Sequence, residues 1–164
     1  HRAGLIFMVV YLAMTFGLQQ YANIRVRRAV NENNIEFQKI STLPLPLSIL
    51  DWVGLVQTKT GVQRVEFTVF DDKLTLEDLR HANDAFVERA KQHAQAKWYL
   101  EFAHHPLVHS FTQGQNHIVE IHDLQFSAPA RIIKMFGLKK PRSPFALKFT
   151  YSAAGELLGT SFND

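Results

Sequence analysis

The feature that constrains this chain most is a charge-free run. No Asp, Glu, Lys or Arg occurs from Ala3 to Ile24, a stretch of twenty-two residues. Within it, Leu5 to Met14 are apolar without a break. As a helix rising about 1.5 Å per residue, the run reaches roughly 33 Å, against a bilayer hydrocarbon core of about 30 Å. Gln19, Gln20, Tyr21 and Asn23 would lie at the interface and Arg25, Arg27 and Arg28 just beyond it, as in an interfacial anchor. A secretory signal peptide would carry a shorter apolar region and a small-x-small cleavage site, and no Ala-x-Ala follows. A helix buried in a soluble core would show one polar face, and residues 4–14 show none. Residues 4–24 are expected to cross a membrane, with a buried core helix and a signal peptide as the alternatives.

The charge is distributed to match. The net charge is +3. Residues 1–34 hold Arg2, Arg25, Arg27 and Arg28 against Glu32, leaving fourteen basic and fourteen acidic side chains in residues 35–164. A nucleic-acid binder would concentrate its surplus on the globular part, so no nucleic-acid partner is expected. Three arginines follow the apolar run and one precedes it, and cytoplasmic flanks carry the excess of Lys and Arg. The soluble part is expected on the cytoplasmic side of a membrane, and the expected partner is the lipid bilayer. There is no cysteine, which removes disulfides, thiolate zinc sites, iron–sulfur clusters and cysteine nucleophiles. Hydrophobic residues make up 46% and charged residues 20%, which excludes disorder. The chain begins at His1 and is expected to be a piece of a longer one.

After the run, the helix is expected to continue over residues 25–33 and stop near Asn33 and Asn34. Ile35 to Leu43 alternates as a strand would, and Pro44 and Pro46 enforce an extended connection. Trp52 to Thr58 and Val62 to Phe70 form a hairpin around Lys59-Thr60-Gly61. From Asp71 to His93 apolar residues recur every three or four positions, which predicts an amphipathic helix with Thr75 and Asp78 as a capping pair. Ala94 to Ala103 predicts a second helix, ended by Pro106. Leu107 to Thr112 and His117 to Phe126 form another hairpin, as do Phe145 to Ser152 and Glu156 to Phe162. The expected fold class is α+β: an N-terminal helix (1–34), then a soluble domain (35–164). That domain would hold a mainly antiparallel sheet of about seven strands with two helices on one face.

The chemistry-bearing residues are sparse. His105 and His109 have the four-residue spacing that lets two imidazoles on a helix share a metal, but Pro106 breaks that helix. His117 and His122 lie five apart on a predicted strand and point to opposite faces. No three ligands converge by a local rule, so no metal or cofactor is expected within these residues. No Gly-x-Ser-x-Gly or Ser-x-x-Lys occurs, and no phosphate-binding loop. The acidic pairs Asp71-Asp72 and Glu77-Asp78 are expected at a helix start, where acids favour the dipole. Arg131, Lys134, Lys139, Lys140, Arg142 and Lys148 form a basic stretch with no acid between Ala130 and Tyr151, interleaved with apolar residues. Together with Arg25, Arg27 and Arg28 they suit a surface against anionic lipid head groups; a solvated loop is the alternative.

Leu43-Pro44-Leu45-Pro46, Trp52 and Ile121-His122-Asp123-Leu124-Gln125-Phe126 complete a recognisable pattern. The chain resembles the C-terminal part of the bacterial membrane-bound metal-dependent hydrolase family. Members have several transmembrane helices with histidine and aspartate motifs near the N-terminus, and a last helix leading through a basic flank into a soluble domain. The matching stretches are Pro44 to Trp52, Trp98 to Pro106 and Asp123 to Phe126, with Gln125 standing where the family has arginine. The resemblance implies a hydrolase whose metal-binding histidines lie upstream of His1, with upstream helices of the same chain as partners and a divalent metal in the full-length parent. It assigns no catalytic residue here. The expected function is that of an accessory domain carrying the last transmembrane helix of such a hydrolase. The alternative is a single-helix-anchored, non-enzymatic interaction or ligand-binding module.

Overall fold

The structure, a computed structural model, describes residues 2–46, 48–135, 137, 143 and 145–162. The charge-free run and its arginine flank form one unbroken helix, α1 (Arg2–Glu32). It ends as the sequence predicts: Asn34 takes a positive φ of 53°, the left-handed conformation that terminates helices, and the Asn33 amide donates to the Ala29 carbonyl. Then come β1 (Lys39–Pro44), β2 (Asp51–Gln57), β3 (Gly61–Thr68), β4 (Glu77–Arg80), α2 (Ala85–Gln92) and α3 (Ala94–Phe102). They are followed by β5 (Pro106–Gln113), β6 (Asn116–Asp123), a 3-10 turn (Leu124–Phe126), α4 (Ala130–Met135), β7 (Leu147–Tyr151) and β8 (Leu157–Phe162). The fold is α+β, with two antiparallel four-stranded sheets in the orders β1-β2-β3-β4 and β5-β6-β7-β8.

The chain divides into two compact units, His1–Lys59 with Gln63–Glu77, and Thr60–Val62 with Asp78–Asp164. In the first, Leu18, Ala22, Val26 and Val30, a stripe at four-residue spacing, lie on Trp52, Val56, Val65 and Phe67 of β2 and β3. Gly54 permits that close approach: a Cβ there would sit 2.7 Å from a Val26 methyl. Thr42 of β1 donates to the Asn23 side chain at 2.7 Å and pins helix to sheet. In the second unit, Val87, Ala90, Ala96 and Tyr99 of α2 and α3 pack on Val108, Val119, Ile121, Leu147, Phe149 and Tyr151. This is the expected pair of helices over one face of an antiparallel sheet.

Three expectations need correction. Among the described residues the strands number eight, in two sheets, where a single sheet of about seven was expected. Local pattern specifies each hairpin but not which hairpins meet edge to edge. The predicted helix over Asp71–His93 begins only at Ala85; Glu77 to Arg80 is strand β4. The cap is Asp84, whose carboxylate accepts the Phe86 and Val87 amides at 2.8 and 2.9 Å, so neither Thr75 with Asp78 nor the earlier acidic pairs open a helix. Apolar spacing at Leu76, Leu79 and Ala82 mimicked a helical period, and pairing within the sheet overrode it. Gly61 leaves room for that pairing, since a Cβ there would overlap the Leu79 carbonyl oxygen. Finally, the last turn of the predicted strand His117–Phe126 is the 3-10 segment, and the basic link contains α4.

Candidate functional site

By length and composition α1 is able to cross a membrane. Its two halves have different surroundings. Residues 2–14 are exposed throughout, Phe7 by 73%, whereas Ala22, Val26 and Val30 are fully buried. The core-helix reading of the sequence thus holds for the later part of the helix, while its first half is apolar and exposed. Ten large apolar or aromatic side chains between Leu5 and Phe16 are bare. Covering such a side chain is worth about 1.5–3 kcal/mol, so this surface has a strong drive to leave water.

The flanking arginines differ as well. Arg25 donates through Nη1 to the Thr68 and Val69 carbonyls at 3.2 and 3.3 Å and through Nη2 to the Asp71 carbonyl. Its guanidinium also lies 5.7 Å from the Tyr21 ring and 5.6 Å from that of Phe67. It closes the end of β3 and is spent on the fold. Arg27 and Arg28 are exposed, and Arg28 shares with Arg25, Glu32, Asp72 and Lys73 a recess of about 300 Å³ of mixed charge. Of the basic link, Arg131 and Lys134 fall on α4, with Lys134 exposed. Lys139, Lys140 and Arg142 lie outside the described residues. Lys148, in β7, is opposite Glu120 of β6.

A second constellation, missed in the sequence, gathers Asp84, Ser110 and His117. Ser110 Oγ lies 2.7 Å from His117 Nε2, and Asp84 Oδ2 is 3.6 Å from the same nitrogen. The imidazole stacks on Phe86 at 4.0 Å. Burial pushes the Asp84 carboxyl up, but the Ser110 hydroxyl, the Val87 and Phe86 amides and His117 outweigh it and hold the group below its usual range. A nucleophilic triad needs the acid on the ring nitrogen opposite the serine. Here both address Nε2, and the cluster serves to dock the start of α2. The only sequence signal was spacing: Ser110 and His117 are non-adjacent partners across a hairpin, two registers apart.

His122 occupies the other face of β6, as the strand period requires. Its ring stacks on His109 at 5.0 Å, and its buried Nδ1 makes no hydrogen bond. Burial first, then the neighbouring His109, lower its pKa to about 4, against the opposing pull of Asp123. Unfolded, the same group titrates near 6.5. Between those values the unfolded chain holds the extra proton, so stability should be complete above pH 6.5 and fall as pH drops toward 4, by roughly 2–3 kcal/mol. Thermal melting of detergent-solubilised protein at pH 7 and pH 4.5 checks this: His122→Gln should flatten the difference, and an equal loss in both proteins would reject it.

Asp123 gathers the preceding connection. Its Oδ2 accepts the His104 amide at 2.7 Å, and its Oδ1 accepts the His105 and Gln125 amides at 3.0 Å. Its own amide donates to the Tyr99 hydroxyl. Gln125 is exposed. No group of three or more potential metal-ligating side chains occurs among the described residues. His105 and His109 flank the start of β5 with no helix between them. No protein-family profile, curated protein or solved structure matches this chain.

Proposed function

We propose that this chain is the membrane-seated accessory domain, with its last transmembrane helix, of a membrane-bound metal-dependent hydrolase whose metal site lies elsewhere in the parent protein. The observation that carries the anchored part of this reading is the continuity of α1. The bare apolar half and the half that forms the core of the first unit are one helix, so an anchor and a folded domain share a rigid element. The hydrolase part rests on the short motifs at Pro44 to Trp52, Trp98 to Pro106 and Asp123 to Phe126. On this reading the domain faces the cytoplasm from the inner membrane. The exposed Arg27 and Arg28 lie on the anionic leaflet, where each contributes about 1 kcal/mol. Lys134 and the rest of the basic link are further candidates for the same contact.

Alkaline carbonate extraction of membranes from cells making the full chain should leave it in the pellet. Release into the supernatant would overturn the anchored reading. A second reading, a non-enzymatic interaction module on one anchor, is favoured by β8, where Leu157, Leu158 and Phe162 are all exposed. Loss of the parent's metal-dependent hydrolysis when residues 35–164 are deleted, with the protein still in the membrane, supports the accessory domain. Unchanged hydrolysis favours the module.

A further inference from the structure

The large, exposed apolar side chains of α1 occupy only part of the span assigned to it. From Leu5 to Phe16 the helix rises about 18 Å at 1.5 Å per residue, well short of a hydrocarbon core of about 30 Å. Beyond Leu18 its inward stripe is covered by the sheet. A second apolar segment lies alongside it. The β1–β2 turn runs back alongside the helix, and Leu45, Ile49 and Trp52 face Leu12, Phe16 and Leu18 across an open groove of about 970 Å³. The turn therefore stands at the level of helix residues 11–19, inside the charge-free run. It belongs to a charge-free run of its own, eleven residues from Ile40 to Leu50. Ile49 and Leu50 at its tip are each 38% exposed.

Non-helical backbone at membrane depth is tolerated only where its polar groups are satisfied internally. Several of this turn's polar groups are paired internally. The Leu45 amide donates to the Asp51 carbonyl and the Ser48 amide to the Leu45 carbonyl, at 2.8 and 3.1 Å. Ser48 Oγ accepts the Leu50 and Asp51 amides and donates to the Asp51 carboxylate at 2.7 Å. The Trp52 indole donates to the Ile49 carbonyl at 3.1 Å. An apolar tip gains nothing from pointing at water.

We propose that the β1–β2 turn is a second membrane-inserted element, and that a phospholipid acyl chain of the same bilayer fills the groove between it and α1. The occupant follows from continuity: the groove opens onto the exposed apolar surface of the helix, and its lining is aliphatic and aromatic, with Thr15, Gln19 and Ser48 as the polar groups. The bilayer boundary then crosses the molecule near Gln19 and Trp52, and Arg27 and Arg28 stand a little over two helical turns outside it. This inference rests on the anchored reading of α1.

The chain has no cysteine, so single variants Leu12→Cys, Ile49→Cys and Lys59→Cys, each of the full chain in phospholipid nanodiscs, take one environment-sensitive fluorophore cleanly. Lys59 follows the far end of β2 and is exposed. Nitroxide-labelled acyl chains in the same discs should quench Leu12 and Ile49 and leave Lys59 bright, with blue-shifted emission at the first two. Quenching at Leu12 with Ile49 behaving like Lys59 overturns insertion of the turn and leaves the span intact. A blue-shifted but unquenched Ile49 means that protein, such as a second copy, covers the turn, and overturns the proposal. Absence of quenching at all three positions overturns the span itself and the insertion with it.

Discussion

Asp123→Ala should destabilise the second unit by about 3–5 kcal/mol, the largest single effect expected in this protein. The lost carboxylate accepts three backbone amides, those of His104, His105 and Gln125, and it is 3% exposed. Each buried donor left without an acceptor costs about 1–3 kcal/mol, and the exposed part of His104 recovers some of this from water. Asp123→Asn keeps one acceptor oxygen and should fall between the two. Urea unfolding of the detergent-solubilised chain measures the loss, and hydrogen exchange at the His104 and His105 amides localises it. A loss below about 1 kcal/mol in the alanine variant would show that solvent replaces the carboxylate. The Asp-Leu-Gln-Phe motif therefore has a structural meaning here: its aspartate ties the α3–β5 connection to the end of β6, and its leucine amide adds a bond to the His105 carbonyl at 3.0 Å.

Gly54→Val should lift α1 from its sheet and cost about 3 kcal/mol, at the upper end of typical overpacking penalties. The first added carbon already sits 2.7 Å from a Val26 methyl and 2.8 Å from one of Val65, and the branch adds two more. The effect should appear as early loss of the first unit's cooperative transition and as proteolysis between α1 and β1. Gly17→Ala is the internal comparison. Nothing lies within 4 Å of its added Cβ, and in a helix interior the change should be neutral or stabilising by up to about 1 kcal/mol. Equal behaviour of the two variants would mean that α1 is not packed through Gly54.

The elements written in local pattern were readable in the sequence. Alternation and turn residues predicted the hairpins at Trp52 to Phe70, at Leu107 to Phe126 and at Phe145 to Phe162, within a few residues of β2–β3, β5–β6 and β7–β8. Helix α3 and the stop at Asn34 were readable for the same reason: each depends on neighbours within one turn. The strand parity that sends His117 and His122 to opposite faces also survives, with His117 beside Ser110 and His122 on His109. The stretch from Asp71 to His93 failed because its apolar spacing satisfies a helical period, while Leu79 meets Gly61 of β3, eighteen residues earlier.

What the sequence by itself determined is an α+β chain led by a helix long and apolar enough to cross a membrane, and the positions at which its hairpins turn. Only the tertiary structure decided that the eight strands among the described residues divide into two sheets, that Ala22, Val26 and Val30 of the same helix are core, and that Arg25 is consumed by the carbonyls at the end of β3. It also decided that Asp84, Ser110 and His117 meet. The physical reason is range. Dihedral preference, capping and side-chain periodicity act over a few residues and leave a mark in the pattern. Edge-to-edge pairing and helix docking instead join segments tens of residues apart, where the choice is made by shape, burial and unsatisfied backbone groups that no local window contains.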